Sequence, residues 1–373
     1  MRNANNKSRP RVGRFLLYKL SAFIIYVKFL IVLIMNKDDL FYKLVILRTP
    51  GVGPVRYNEL IARFGDVESA AQSLVINSDI TDSVSREIER AQQLGIYYIS
   101  DDMNEYPSQL RMVKNHPPVL CVRGNVDVLS RSTVGIVGTR HATVAGMNFV
   151  ADIANAFAAH GWAVVSGLAM GTDAAAHRGA LRANGNRQTI AVVAGGVDYI
   201  WPLENESLYW EIVERGAVVS EMPVGFKPVA TNFVQRNRWI AGISEKLIIS
   251  EADMNSGSMK TARFALNMGR QLWAIPSHPS DSRAVGPNTL IQSGAAKLCN
   301  GVSDFFESEK NNVENKKNYD SDNSLLDALG TIPVSESVLS DIVKKSISEI
   351  KSILVVMELQ GLVRKVDGGY VRV

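Results

Sequence analysis

Small residues recur beside cations at places where an anion could be held. Gly138, Thr139 and Arg140 follow the apolar run 134–137 and precede an amphipathic segment. Glycine lets the backbone approach a ligand, threonine adds a hydroxyl and an amide, and arginine grips a phosphate at two oxygens. Ser166, Gly167 and Gly171 stand in the same place after the run 163–166 and can form a second anion nest at a helix start. Asp173 is placed to cap that helix, and His177 lies one turn further on. No activated nucleophile stands beside this pair, so its expected work is to orient the loop and not to move protons. Trp201, after Gly195 and Gly196, is either a platform for a base or an aromatic packed on the sheet rim. Arg236, Asn237 and Arg238 come just before the short helical run 239–242. Cations at a helix start oppose its dipole unless an anion lies between them, which points to a phosphate site. Ser256, Gly257, Ser258 and Lys260 open one more helix in the same style.

Several chemistries are excluded. The dinucleotide spacing G-x-G-x-x-G and the Walker spacing G-x-x-x-x-G-K-[ST] are both missing, so neither hydride transfer nor ATP hydrolysis is indicated. The two cysteines, Cys121 and Cys299, rule out a disulfide framework and a multi-cysteine zinc site. His278 is a lone loop histidine. No catalytic residue, metal or cofactor is expected. A mononucleotide needs one or two anion nests, whereas a row of them fits the backbone of single-stranded nucleic acid.

The elements that must position these residues follow from periodicity. Near-continuous apolar runs at 134–137, 163–166, 189–194, 217–220, 246–250 and 271–275 alternate with amphipathic segments at 148–160, 173–183, 204–213 and 258–267. That pattern predicts a doubly wound, Rossmann-like α/β domain over residues 111–305, with its ligands at the carboxyl ends of the strands. Residues 36–110 are expected to form a small helical domain, helix-hairpin-helix or SAM-like, turning at TPGVGP (49–54). Residues 306–323 are polar and charged, a linker. Residues 324–373 predict three helices and a two-stranded wing, a winged helix whose recognition-position helix, 347–359, is poor in arginine. It docks either DNA or a protein.

The chain has 373 residues, 46% hydrophobic and 21% charged, which is ordinary globular composition. Its net charge of +4 comes from residues 1–35, whose seven Lys and Arg face no acidic residue. Beyond them 34 basic residues meet 37 acidic ones, so bulk charge makes no case for a polyanion partner. Residues 1–35 read either as a membrane anchor or as a misassigned start before Met35, and the second reading is preferred. A membrane contact follows only from the first; otherwise the expected location is cytoplasmic.

Taken together, GTRHAT (138–143), SGLAMGTDAAAH (166–177), GGVDYIWPLEN (195–205), SEMP (220–223), FVQRNRWIAG (233–242), EADMNSGSMKTARFAL (251–266) and GPNTLIQSGA (286–295) resemble, in order and spacing, the DNA-processing protein A family, DprA or Smf. The resemblance spans about residues 38–301 and implies a non-enzymatic recombination mediator. Such a protein binds and protects single-stranded DNA, dimerises, and loads RecA, as in natural transformation. It implies that Gly138, Thr139, Arg140, Ser166, Gly167, Arg236, Arg238, Ser256, Gly257 and Lys260 line the DNA groove, with Asn237 holding the arginine loop in shape. The chain departs from the family at Ala145, Thr172 and Trp201. Leu203 stands where some relatives carry a basic residue, so one DNA contact is not carried over. The rival expectation is a Rossmann-like nucleotide-processing enzyme of the phosphoribohydrolase kind. Gly195-Gly196-Val197 lacks that family's glycine motif and following glutamate.

Overall fold

The computed structural model describes residues 37–184, 189–306, 325, 326, 328–330 and 333–373. The leader (1–35) and all but the first residue of the linker (306–323) lie outside them. The described chain forms two compact units, one ending at Asn300 and the other beginning at Gly301.

The first unit opens with helices α1 (Lys37–Arg48), α2 (Pro54–Phe64), α3 (Val67–Gln72) and α4 (Ser78–Gln93). Pro54 starts α2, where its missing N–H would have had no helical partner. Asp66 caps α3 by accepting from Ser69 N, and Asn77 caps α4 by accepting from Asp79 N. Residues 36–110 were expected to be mainly helical, but Ile96–Ser100 is a strand, β1, paired antiparallel with β2 (Val119–Gly124). The run Ile-Tyr-Tyr-Ile is β-branched and aromatic, which suits a half-covered pleated surface better than a helix.

The remaining strands are β3 (Thr133–Val137), β4 (Ala163–Ser166), β5 (Thr189–Val192), β6 (Ala217–Ser220), β7 (Lys246–Ile249), β8 (Gln271–Ala274) and β9 (Lys297–Leu298). Between them run α5 (Val144–Ala159), α6 (Thr172–Arg182), α7 (Glu206–Arg215), α8 (Ala230–Ile243), α9 (Gly257–Asn267) and α10 (Val285–Gln292). The sheet order is β1-β2-β6-β5-β4-β3-β7-β8-β9. Strands β3 to β9 are parallel, and the antiparallel β1–β2 pair extends the β6 edge. The chain winds outward from β3 toward β6, then returns and winds the other way from β7 to β9. The order therefore reverses between β3 and β7, and such a switch point opens a crevice at the strands' carboxyl ends.

Alternate side chains feed two cores. Val165, Val192, Val219, Leu247 and Ile249 pack with Trp239 and Ile240 of α8 and Met259 and Ala262 of α9. Ala191, Val193 and Val218 face the opposite way, onto Leu208, Tyr209 and Ile212 of α7. Leu44 and Val45 of α1 and Val84 and Ala91 of α4 join this second core, so the N-terminal helices are built onto the sheet.

The second unit holds α11 (Glu336–Val343), α12 (Ile347–Leu359) and the hairpin β10 (Val363–Val366) and β11 (Gly369–Arg372). Its core joins Leu325, Leu329, Leu339, Ile350, Leu354, Met357, Val363 and Tyr370. Ser346 and Glu349 form a reciprocal capping box that starts α12. That helix exposes Ser348, Lys351, Ser352, Val355, Val356 and Leu359, a face with little positive charge.

Candidate nucleic-acid interface

Two of the expected anion sites meet at the switch point. Gly138, Thr139 and Arg140 leave β3, and Ser256 to Lys260 begin α9 just beyond β7. Ser258 Oγ donates to Gly138 O at 2.6 Å and joins them directly. Ser256 caps α9 by accepting from Met259 N, while the Gly257 and Ser258 amides lie in the first turn, beyond the reach of intrahelical acceptors. Lys260 is exposed in that same turn.

Arg140 is exposed, and the loop that carries it is held from several sides. Thr139 N donates to Glu251 O at 2.7 Å, and Thr143 N donates to the Glu251 carboxylate at 2.8 Å. Thr143 Oγ1 also donates to that carboxylate, and Arg283 Nη1 donates to His141 O at 2.9 Å. Gly171 has φ +72°, and a Cβ there would meet Thr139 O and Arg140 O at 2.6 Å. Only glycine allows the loop before α6 to support the first loop so closely. The Arg140 guanidinium lies 5.1 Å from the Trp201 ring centroid and 5.9 Å from that of Phe233. The two rings meet edge to face at 4.6 Å. Trp201 is thus a half-buried platform for Arg140.

The second nest is a correction. Ser166 and Gly167 are buried, and Ser166 Oγ donates to Ile136 O at 2.7 Å. Gly167 N and Ala169 N donate to the Asp173 carboxylate at 3.1 and 3.4 Å. Asp173 does not cap α6, whose N-cap is Gly171; it turns back and fills the anion place itself. Burial raises its carboxyl above the usual range, against the pull of Arg236 and the loop amides.

The arginine motif is a second correction. Arg236, Asn237 and Arg238 were expected just before a short helical run at 239–242, yet they lie inside α8, Ala230–Ile243. From Ala230 to Ile243 no proline interrupts, and the single Gly242 falls near the end, so the helix runs through. The argument from cations at a helix start therefore does not apply. Arg236 is buried at 6% exposure and donates to the carbonyls of Gly167 and Val192, the latter at 2.7 Å. Desolvation lowers its pKa to about 10, partly offset by Asp173. Arg238 is half-buried, lies 4.7 Å from the Trp239 ring centroid and donates to Lys114 O at 2.7 Å. Asn237 Nδ2 donates to Gly257 O at 3.3 Å, so it tethers the start of α9 and not an arginine loop.

His177 is a third correction, because it does not orient the Asp173 loop. It is fully buried, with Nδ1 2.6 Å from Thr189 Oγ1. The Thr189 hydroxyl donates to Val164 O, so the imidazole must donate from Nδ1. Nε2 is buried with no hydrogen-bond partner among the described residues, and burial first, then Arg236 and Arg178, lower the pKa to about 3. The native histidine is neutral, while the unfolded one binds a proton below its ordinary value of 6.5. Its contribution to stability is therefore full above pH 6.5 and declines as pH falls toward 3, by at most about 1.4 kcal/mol per pH unit. Melting curves from pH 7 to 5 should show a steeper loss for the wild type than for His177→Gln.

Beneath the platform lies a cavity of about 10 Å³, lined by Gly167, Gly195, Trp201, Pro228, Phe233 and Arg236 among others. It has room for about one water and none for a nucleotide. Among the described residues no group of three or more His, Cys, Asp or Glu could hold a metal, and no helix is long and apolar enough to cross a membrane. Sequence reasoning missed Phe233, Thr143 and Glu251. Phe233 falls one turn before Arg236, and Glu251 ends a strand run, but neither signal says which way the side chain turns.

Three family models match the chain. DNA recombination-mediator protein A covers residues 97–310, a DprA-like N-terminal HHH domain covers 37–75, and a DprA winged helix domain covers 319–369. Protein Smf of Synechocystis sp. is 33% identical over 80% of this chain and 75% of its own. DNA processing protein DprA of Bacillus subtilis is 37% identical over 59% of this chain and 74% of its own. The structure of DNA processing protein A from Streptococcus pneumoniae superposes with a TM-score of 0.58 at 30% identity, covering 71% of this chain and 93% of that one. DNA processing protein A of Helicobacter pylori, a protein with a single-stranded DNA binding mode, gives a TM-score of 0.52 at 29% identity, covering 58% and 96%.

Proposed function

This chain belongs to the DNA recombination-mediator protein A family, and from that premise we propose that it binds single-stranded DNA along the switch-point crevice, protects it and presents it to RecA. The observation that carries the reading is the pair of exposed cations, Arg140 and Lys260, beside the first-turn amides of α9 at the edge where β3 and β7 end. Thr139, Gly138, Gly257 and Ser258 shape the backbone there, and the Arg140 guanidinium offers a plane to a base. The strand-binding relative from Helicobacter pylori supports the ligand class. Homodimerisation, RecA loading and a cytoplasmic site of action complete the proposal, which is a binding role and not a catalytic one.

The test is fluorescence anisotropy of the full chain with a single-stranded oligonucleotide over a salt series, beside a duplex and a nucleoside monophosphate. Tight, salt-dependent binding with preference for the single strand is expected. Mononucleotide binding without strand binding would instead favour a phosphoribohydrolase-like enzyme, and hydrolysis would be assayed next.

A further inference from the structure

A second set of polar contacts, part-buried at Glu87 and exposed at Arg90, lies behind the crevice. Residues 223–228, rich in proline and glycine, pass beside Gly195 and Gly196. Gly196 N donates to Phe226 O at 3.0 Å, and Pro228 lines the cavity with Trp201, Phe233 and Arg236. This loop is therefore a wall of the aromatic platform. Its other side is held by α4 of the N-terminal module. Glu87 and Arg90 are three residues apart on α4 and share a face.

Glu87 is the hub of that face. Arg48 Nε and Nη2 donate to its two oxygens at 2.9 and 2.8 Å, Tyr98 OH donates at 3.0 Å, and Val224 N donates at 3.4 Å. Its side chain is 8% exposed. Arg90 Nη2 donates to Asp198 Oδ2 at 3.0 Å, and Asp198 Oδ1 accepts from Gly225 N at 2.7 Å. Gly225 has φ +83°, a conformation that L side chains rarely adopt. The two amides at the bend of the loop, Val224 N and Gly225 N, thus both end on carboxylates organised by α4. A polar network this complete fixes one geometry, because each acceptor is already oriented by an arginine.

We propose that Glu87 and Arg90 of the N-terminal helical module are positioning residues of the strand-binding crevice, acting through residues 223–228. The proposal rests on the strand-binding reading above. The module is then part of the binding device, although it need not touch the strand. Arg90 is 60% exposed, so Arg90→Ala leaves the fold intact. The full chain is titrated with a single-stranded oligonucleotide over a salt series.

Arg90→Ala should raise Kd roughly two- to thirty-fold, with the slope of log affinity against log salt unchanged. Arg90→Lys, which keeps a cation at Asp198, should recover most of the loss. Asp198→Asn loosens the loop from the other end and should produce a similar loss, and the double variant should be no weaker than Arg90→Ala. Glu87→Gln leaves Arg48 without a buried counter-charge and can unfold the module, so it is secondary. A wild-type Kd in Arg90→Ala overturns the proposal. So does a slope shallower by about 0.7, which would mark a direct phosphate contact. If the wild type itself binds no strand, the strand-binding reading falls and takes this one with it. Loss confined to the variants bears on positioning alone.

Discussion

Arg236→Ala should lower the unfolding free energy by roughly 3–5 kcal/mol, a stability defect before it is a binding defect. Arg236 is 6% exposed and spans two carbonyls, Gly167 O at the end of β4 and Val192 O at the end of β5. Its removal leaves both acceptors without their donor and Asp173 without its nearby cation. Asp173 can relieve part of that cost by taking a proton, because burial already favours its neutral form. Asp173→Asn in the Arg236→Ala background should therefore restore part of the stability. Arg238→Ala removes one carbonyl contact and a ring contact from a half-buried position, and about 1 kcal/mol is expected. Urea unfolding of the four chains separates these cases. An Arg236→Ala chain as stable as the wild type, with a shallower salt dependence of strand binding, would reverse the assignment and make Arg236 a phosphate ligand.

That contrast shows what local sequence carries and what it does not. The strand ends at Gly138, Ser166, Gly195, Ser220 and Ser250 were legible because buried parallel strands are short apolar runs closed by small residues. The winged helix was legible from a helical period giving way to a two-stranded one around Gly361. Strand β1 was not, because its partner β2 lies across a turn-rich stretch and pairing at that distance leaves no local period. The arginine pair Arg236 and Arg238 was visible as chemistry but not as direction. Two positions along a helix are about 200° apart, so one guanidinium enters the core while the other reaches Lys114 O. Asp173 was read as a cap because caps are the common use of an acid at a helix start. Its actual work depends on a cation brought from α8, some sixty residues later in the chain. Glu251 and Phe233 escaped for the same reason: what they hold is remote in sequence.

Arg140→Ala and Lys260→Ala should each weaken single-strand binding by roughly tenfold, from about 1.5 kcal/mol per charge-assisted contact, without changing stability by more than about 0.5 kcal/mol. Both side chains are exposed, and neither supports the core. The loss should be even across base sequences, since a phosphate carries no sequence information. Each variant should reduce the magnitude of the salt slope by about 0.7, and the double variant by about 1.4 if the contacts are independent. Arg140→Lys separates the two parts of the arginine's role. It keeps the charge, so the slope should stay near that of the wild type. It loses the planar fork and the stacking over Trp201 and Phe233, so affinity should still fall. Anisotropy titrations at several salt concentrations, with homopolymeric strands of different bases, measure all three quantities at once. Single variants that bind with the wild-type slope would remove the phosphate contacts from this edge of the sheet and force the strand elsewhere. A loss restricted to one base would make Arg140 a base reader instead. The even, slope-reducing loss is the expected outcome, because the strand order reverses at this point and two exposed cations stand beside the first turn of α9, while the deeper arginine is already committed to the fold.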